Sequence, residues 1–368
     1  MRTRAIIHLD RFKANIEAVR SRIGSRHICV PVKANAYGHG ALEIAKTSLK
    51  AGAFFLGVAA VSEGKELRNA GIKSPILLFS QSHHDEIPEI IKANLSPFIS
   101  DASFASALNE QAAAEKIKLS VHIKIDTGMG RIGCAEEEAV SLARHIADCS
   151  WLEPAGTATH FAVSDSADAQ DIAFTQQQLA RFKKAVGAIK DAGLDTGIVH
   201  AANSGAVILH PDSWLDMVRP GILLYGYKTA EENENPIQVL PVMELRTTVV
   251  LIKKIKKGET VSYGRTWTAA QDTNIAVLPV GYSDGLPRLA SGKWQAVIGG
   301  KTYPIIGRIC MDLCCVDLGT DSNVRRWDEA VIFGGSAKDA AALAAEVGTI
   351  PYEITCNVSE RVPRIYKD

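Results

Sequence analysis

Lys33 is the residue of this sequence whose setting most clearly indicates chemistry. It follows an apolar, strand-like run, Ile28–Val32, inside the segment VPVKANAYGHG (residues 30–40). Because removal from water lowers the pKa of a lysine, an amine at the end of a buried strand is nucleophilic, as Schiff-base chemistry requires. The glycines let the backbone approach a ligand, and Tyr37 can donate its hydroxyl to a phosphate. The simpler alternative is a lysine that extends its charge into solvent.

Short apolar runs alternate with longer helical patterns from residue 25 to about residue 220. The predicted strands are Ile28–Val32, Phe54–Ala59, Ile76–Phe79, Leu95–Ile99, Val121–Ile125, Ala155–His160, Ile198–Ala201 and Asp216–Arg219. The first helix is predicted between an N-cap at Asp10 and a stop at Gly24. Eight such units predict an α/β fold of the (β/α)8 TIM-type barrel class rather than an open doubly wound sheet. Pro97 argues against a regular fourth strand.

The pattern changes after Tyr227. Residues 229–238 are polar and contain proline, which predicts a linker. Beyond it most segments alternate like strands, with one alanine-rich helix at Ala340–Val347. The predicted strands are Met243–Ile255, Thr260–Tyr263, Asn274–Pro279, Trp294–Ile298, Lys301–Ile306, Met311–Leu318 and Ala330–Phe333. We therefore expect a barrel domain at residues 1–230 and a mostly-β C-terminal domain at residues 237–368.

Composition narrows the class of protein. The 368 residues include 41 basic and 41 acidic side chains, so no charge excess indicates a nucleic-acid partner. No apolar run is long enough for a membrane span, and the first residues lack the apolar core of a signal peptide. Seven cysteines are scattered along the chain, and Cys310, Cys314 and Cys315 have no second pair at zinc-like spacing. We expect buried thiols, no metal and a cytoplasmic enzyme.

In a (β/α)8 barrel, chemistry gathers at the C-terminal ends of the strands. The polar residues at or after the predicted strand ends are Lys33, Lys124, Arg131, His160, Asn203, Ser204 and Arg219. The turns after the last two strands are where this fold commonly holds a phosphate, through backbone N–H groups and hydroxyls. A lysine, a histidine, two arginines and a phosphate-type turn at one mouth fit a phosphate-bearing carbonyl cofactor, pyridoxal 5′-phosphate.

Five segments carry specific motifs: VKANAYGHG (32–40), DTGMGRIG (126–133), VSYGRTW (261–267), GRICMD (307–312) and RVPR (361–364). They resemble those of the alanine racemases, a family of barrel-type pyridoxal-phosphate enzymes, in the same order along nearly the whole chain. The resemblance implies an isomerase that interconverts L-alanine and D-alanine and supplies D-alanine for peptidoglycan. It also implies a homodimer with shared active sites, in which the C-terminal domain contributes the second base to the partner's site.

Carried over position by position, the resemblance implies a role for each matching residue. Lys33 would hold the cofactor and act as one catalytic base, and Tyr263 would act as the other. Arg131 and the backbone of Met311 would hold the substrate carboxylate. The remaining cofactor-binding residues would be Tyr37, Ser204, Gly221, Ile222 and Tyr352 at the phosphate, with Asn203 beside them.

Arg219 would face the pyridine nitrogen of the cofactor, and His160 would support Arg219 and Tyr263. Since an arginine with a pKa above 12 keeps its proton, the ring would stay unprotonated and act as a weaker electron sink. Lys124 and Asp312 would be supporting residues. In some members of the family the position of Lys124 carries a carbamate, and the sequence leaves its state here open.

Three alternatives remain open on the sequence. A barrel-type pyridoxal-phosphate decarboxylase of basic amino acids shares the domain plan, but it has an acidic residue where this chain has Arg219. A pyridoxal-phosphate storage protein resembles a bare barrel without a C-terminal β domain. A racemase that prefers serine also remains, because a pocket distinguishes one hydroxyl by roughly a hundredfold at best. Whether the enzyme makes or breaks down D-alanine is likewise open.

Overall fold

The computed structural model describes residues 3–230 and 236–368 of the chain. It divides into two compact units. The barrel unit comprises Phe12–Ala36 and Ala41–Val239, and the sheet unit comprises Leu240–Asp368 together with Tyr37–Gly40 and the N-terminal residues up to Arg11. The predicted linker at residues 229–238 falls partly on residues 231–235, which lie outside the described residues. Within the described ranges, no helix combines the length and apolarity needed to cross a membrane.

The barrel unit is a closed barrel of eight strands, preceded in the chain by strand β1 (Arg4–His8) of the sheet unit. The barrel strands are β2 (His27–Pro31), β3 (Phe55–Val58), β4 (Ile76–Leu78), β5 (Ser96–Ile99), β6 (Leu119–Lys124), β7 (Leu152–Ala158), β8 (Ile198–His200) and β9 (Met217–Val218). All pairings are parallel, and β9 closes the barrel on β2. The predicted (β/α)8 class is confirmed. Strand β5 forms despite Pro97 because all four of its residues are buried.

Eight α-helices accompany these strands. They are α1 (Leu9–Ile23), α2 (Ala41–Lys50), α3 (Val61–Asn69), α4 (Ile87–Lys92), α5 (Ala102–Glu115), α6 (Ala139–Asp148), α7 (Ala169–Asp191) and α8 (Ser204–Leu209). The prediction that Asp10 is the N-cap of α1 is wrong, because the helix already begins at Leu9. The carboxylate lies in the first turn instead, where it suits the helix dipole. Asp101 and Asp168 do cap α5 and α7 by accepting first-turn amide hydrogens.

The sheet unit contains a nine-stranded sheet and a two-stranded ribbon, so a mostly-β C-terminal part is confirmed. Its strands after β1 are β10 (Met243–Thr248), β11 (Leu251–Ile255), β12 (Thr260–Val261), β13 (Trp267–Thr268), β14 (Thr273–Leu278), β15 (Gln295–Ile298), β16 (Lys301–Ile306), β17 (Cys314–Gly319), β18 (Glu329–Phe333) and β19 (Arg364–Lys367), with helices α9 (Ala340–Val347) and α10 (Pro351–Cys356). Strand β1 lies between β10 and β19, antiparallel to the first and parallel to the second.

Three features of the sheet unit differ from the sequence prediction. The run Met243–Ile255 is not one strand, because it breaks after Thr248 into two strands far apart in the sheet order. Strands β1 and β19 were not predicted, since each is short and lacks a clear alternation. The cysteines are all free, but of the three neighbouring thiols only Cys314 is buried, while Cys310 and Cys315 are half-buried.

Candidate active site

The turn after strand β2 carries Lys33, which is half-buried. The next four residues are non-glycine residues with positive φ, at 51° for Ala34, 52° for Asn35, 53° for Ala36 and 53° for Tyr37. A left-handed turn of L-residues costs about 1–2 kcal/mol per residue, so the surrounding structure must hold it. The turn ends where the Oδ1 atom of Asn35 accepts the amide hydrogen of Ala41 at 2.7 Å, at the start of helix α2.

The glycines of this segment allow close packing within the sheet unit. A Cβ atom on Gly38 would lie 2.0 Å from the carbonyl oxygen of Thr355, and one on Gly40 would lie 1.9 Å from the Tyr366 hydroxyl oxygen. The two predicted phosphate ligands of this unit do come together, because the rings of Tyr37 and Tyr352 lie 5.7 Å apart.

Arg219, after strand β9, is buried and bonded on several sides inside the barrel unit. Its guanidinium donates to His200 Nδ1 at 2.6 Å, to the carbonyl oxygens of Thr159 (2.7 Å) and Ala201 (3.1 Å), and to His160 Nδ1 at 3.3 Å. Burial lowers the pKa of Arg219 to about 10, below the ordinary value of an arginine. The guanidinium still keeps its proton at neutral pH.

Two buried histidines that sequence analysis missed extend this network. Arginine can only donate, so His200 Nδ1 is an acceptor and its Nε2–H donates to His122 Nδ1, 2.9 Å away. The His122 proton is therefore on Nε2, which has no partner among the described residues. Gly156 leaves room for this ring, since a Cβ atom there would lie 2.3 Å from His122 Nδ1. Both side chains point into the barrel from strands that the sequence predicted. A polar residue at an inward-facing strand position is the signal that could have identified them.

Burial keeps these imidazoles neutral. Desolvation, with the charge of Arg219 adding to it, lowers the pKa of His122 to about 3 and holds the pKa values of His200 and His160 well below the ordinary range. Arg219 therefore has no anionic partner in this network. No carboxylate of this network neutralises its positive charge.

Acid should destabilise the protein through these histidines. In the unfolded chain the His122 imidazole takes up a proton near pH 6.5, whereas in the folded protein its pKa is about 3. The free energy of unfolding therefore falls as the pH falls from about 6.5 to about 3. We expect His122→Asn, which keeps an acceptor for His200 but does not titrate, to reduce the slope of unfolding free energy by about 1.4 kcal/mol per pH unit between pH 6 and 4. Denaturant titrations at several pH values measure this, and equal slopes in both proteins would contradict it.

Lys124 and the loop that carries Arg131 follow strand β6. Lys124 is buried, with Nζ 5.9 Å from the centre of the Phe98 ring. Burial, and next the charge of Arg219, lowers its pKa well below the ordinary range. The Asp126 carboxylate accepts the amide hydrogens of residues 128–131 at 2.9–3.2 Å. Burial alone would raise the pKa of Asp126, but these four bonds outweigh it and lower the pKa. The carboxylate thus fixes the loop, and Arg131 lies exposed at its end.

The predicted phosphate turn is formed by the residues after strands β8 and β9. Asn203 Oδ1 accepts the amide hydrogen of Ala206 at 3.0 Å and so caps helix α8. Ser204 Oγ accepts the amide hydrogen of Gly221 at 2.9 Å, which joins the two turns. Ser204, Gly205 and Ile222 are buried residues, and none of the described residues provides an acceptor for their amides. Buried amides rarely stay unpaired, so this donor set fits a phosphate.

Three loops of the sheet unit bring Tyr263, Met311 and Asp312 onto one connected surface. Ser262 Oγ donates to the carbonyl oxygen of Arg308 at 2.6 Å, and the amides of Tyr282 and Ser283 donate to Cys310 and Met311 at 3.1 Å each. Arg361 pairs with Asp312 at 2.8 Å and with buried Asp284 at 2.9 Å. Tyr263 is 71% exposed and Met311 is 52% exposed. Both side chains therefore lie exposed on loops that hydrogen bonds hold together.

Comparison with known proteins agrees with these features. The sequence matches the family described as "Alanine racemase, N-terminal domain" over residues 7–229 and "Alanine racemase, C-terminal domain" over residues 242–366. It is 49% identical to the alanine racemase of Treponema denticola, with 100% of this chain and 98% of that protein covered.

Solved structures give the same result. The alanine racemase of Clostridium difficile 630 has a TM-score of 0.94 at 34% identity, covering 100% of this chain and 96% of that one. The Bartonella henselae alanine racemase, solved with covalently bound pyridoxal phosphate, has a TM-score of 0.88 at 27% identity, with full coverage of both chains, 100% and 100%. The resemblance found in the sequence is thus confirmed: the chain belongs to the alanine racemase family, isomerases that act on amino acids.

Proposed function

We propose that the protein interconverts L-alanine and D-alanine with pyridoxal 5′-phosphate as cofactor and with Lys33 and Tyr263 as its two bases. Its family membership supports racemisation of alanine, and the Bartonella henselae relative with covalently bound pyridoxal phosphate supports the cofactor. The observation that carries the proposal is the donor set of the barrel unit. A lysine follows β2, and the buried residues Ser204, Gly205 and Ile222 follow β8 and β9, with no acceptor for their amides among the described residues.

The residues present fit the cofactor. In this proposal Lys33 holds it covalently, the turns with Asn203, Ser204, Gly221 and Ile222 bind its phosphate, and Tyr37 and Tyr352 contribute hydroxyls. When bound, pyridoxal phosphate withdraws electrons from Cα of an attached amino acid and makes its proton removable. Arg219 faces the ring nitrogen in this proposal. Two properties support that role: the guanidinium keeps its proton at neutral pH, and the histidines that it contacts are neutral.

Inversion at Cα requires one base on each face, because a proton leaves one side and another returns on the opposite side. Lys33 and Tyr263 take these roles in the proposal, and Arg131 and the Met311 backbone hold the substrate carboxylate. His160 supports Arg219, with which it shares a hydrogen bond of 3.3 Å. Asp312 steadies the Met311 loop through its ion pair with Arg361. Lys124 supports Arg131, and its lowered pKa favours the neutral amine, the form that can become a carbamate.

We further propose a homodimer in which each barrel domain, residues 1–230, receives Tyr263 from the C-terminal domain, residues 237–368, of its partner. The exposure of Tyr263 and Met311 supports this arrangement. The D-alanine formed would supply peptidoglycan synthesis. The free state of the cysteines is consistent with the cytoplasmic location that we propose.

The purified protein should convert L-alanine to D-alanine in the presence of pyridoxal phosphate, as measured by chiral chromatography after incubation with single L-amino acids. Borohydride reduction should leave a pyridoxyl group on the peptide that contains Lys33, because only that lysine follows a barrel strand into the turn described above. Lys33→Ala protein is the control and should stay unlabelled there. An amine product would favour the decarboxylase, and faster turnover of serine than of alanine would favour a serine racemase. Label on Lys124 instead of Lys33 would overturn the assignment of the cofactor-binding lysine.

A further inference from the structure

Glu63 makes a set of hydrogen bonds that joins two strand ends of the barrel unit. It lies in the first turn of α3, and its Oε2 atom accepts the amide hydrogens of Ala59 at 2.8 Å and Ala60 at 3.1 Å. Glutamates at this helix position often cap the helix start in this way. The other oxygen, Oε1, accepts the amide hydrogen of Ala34 at 2.6 Å. That bond is not needed for a cap, because Ala34 lies 29 residues earlier in the chain.

Ala34 is the residue directly after Lys33 and the first of the left-handed turn. A non-glycine residue with positive φ is disfavoured, so the turn persists only where hydrogen bonds hold it. The amide of Ala36 donates to the carbonyl of Val32 at 2.8 Å, a bond within the turn itself. The bond to Glu63, by contrast, fixes the turn to the segment that follows strand β3. It therefore sets where the backbone of Lys33 lies relative to the neighbouring strand end.

We propose that Glu63 is a positioning residue for Lys33, acting through the Ala34 amide and the left-handed turn. The inference rests on the proposed role of Lys33 as the residue that binds the cofactor. Glu63 touches neither substrate nor cofactor in this proposal. It holds the lysine backbone so that the amine reaches the reacting carbon in a fixed geometry, and misplacement by about 1 Å can cost about a hundredfold in rate.

Glu63→Asp separates this role from helix capping. Aspartate keeps a carboxylate at the start of α3, where it suits the helix dipole, but it is one methylene shorter and cannot span both Ala60 and Ala34. Glu66→Asp is the matched control, since Glu66 lies exposed one turn later in the same helix. Two quantities are measured on the full-length proteins: hydrogen–deuterium exchange of the peptide containing residues 34–37, and the rate of borohydride-trapped attachment of pyridoxal phosphate to Lys33 after the cofactor has been removed.

We expect exchange at residues 34–37 to be about tenfold or more faster in Glu63→Asp. Trapping at Lys33 should be on the order of tenfold to a hundredfold slower, with Tm close to that of the Glu66→Asp control. Unchanged exchange would show that Glu63 does not hold the turn, and faster exchange with unchanged trapping would show that the turn does not position the lysine. Either result overturns the inference while wild-type labelling at Lys33 stands. A wild type that is not labelled at Lys33 overturns the proposed function itself.

Discussion

Lys33→Ala protein and Tyr263→Phe protein, each nearly inactive alone, should regain activity when they are mixed and allowed to exchange subunits. The proposal is that Lys33 of one subunit works with Tyr263 of the other across a two-fold axis. Random exchange gives about half mixed dimers. Each mixed dimer has one site with both bases and one site with neither, so activity should reach roughly a quarter of wild type by this two-fold counting.

The measurement is D-alanine formation against time after mixing, with each variant exchanged against itself as the control. If both bases came from one subunit, every site in the mixture would lack one of them and no activity would return. The exposure of Tyr263 at 71% and Met311 at 52% motivates the experiment, because both side chains are free to reach a site on a partner subunit.

Arg219→Glu should slow racemisation by on the order of a hundredfold or more and raise the share of transamination. A carboxylate near the ring nitrogen favours a protonated ring, which stabilises negative charge on Cα for longer. The glutamate would also face the carbonyl oxygens that Arg219 now contacts, those of Thr159 and Ala201, so some loss of stability is expected. The measured quantity is pyruvate formed per racemisation event.

Arg219→Lys is the control for that experiment, because it keeps the charge but cannot reproduce the several contacts of the guanidinium. It should lower activity without raising the ratio of pyruvate to D-alanine. An unchanged ratio in Arg219→Glu would contradict the proposed role of Arg219, whatever the loss in rate.

Much of the fold could be predicted because its signals are local. Each barrel strand is a short apolar run bounded by turn residues, and α9 was predicted with its observed bounds because alanines and apolar spacing define it. Strands β1 and β19 could not be predicted, since each is short, lacks a clear alternation and pairs with strands distant in the sequence. The break between β10 and β11 was missed for a similar reason: no glycine or proline marks it in residues 243–255, and only tertiary pairing separates the two strands.

The predicted site residues of the barrel were found from strand ends, a rule that depends on topology alone. The His200–His122 pair escaped it because the predicted strands, Val121–Ile125 and Ile198–Ala201, extend past these residues. Their contacts with each other and with Arg219 depend on the inward direction of each side chain. The role of Gly156 is likewise visible only in three dimensions. The contacts of Glu63 join segments that are distant in the sequence, and no local pattern reports them.

The position of strand β1 has a consequence for how the chain is made. Its partners β10 and β19 are synthesised about 240 and about 360 residues later, which means delays on the order of tens of seconds at about 5–20 residues per second. All eight barrel strands emerge before β10 does. A nascent chain whose residues up to about 230 have left the ribosome should therefore carry a closed barrel with β1 still unpaired and its edge open to chaperones.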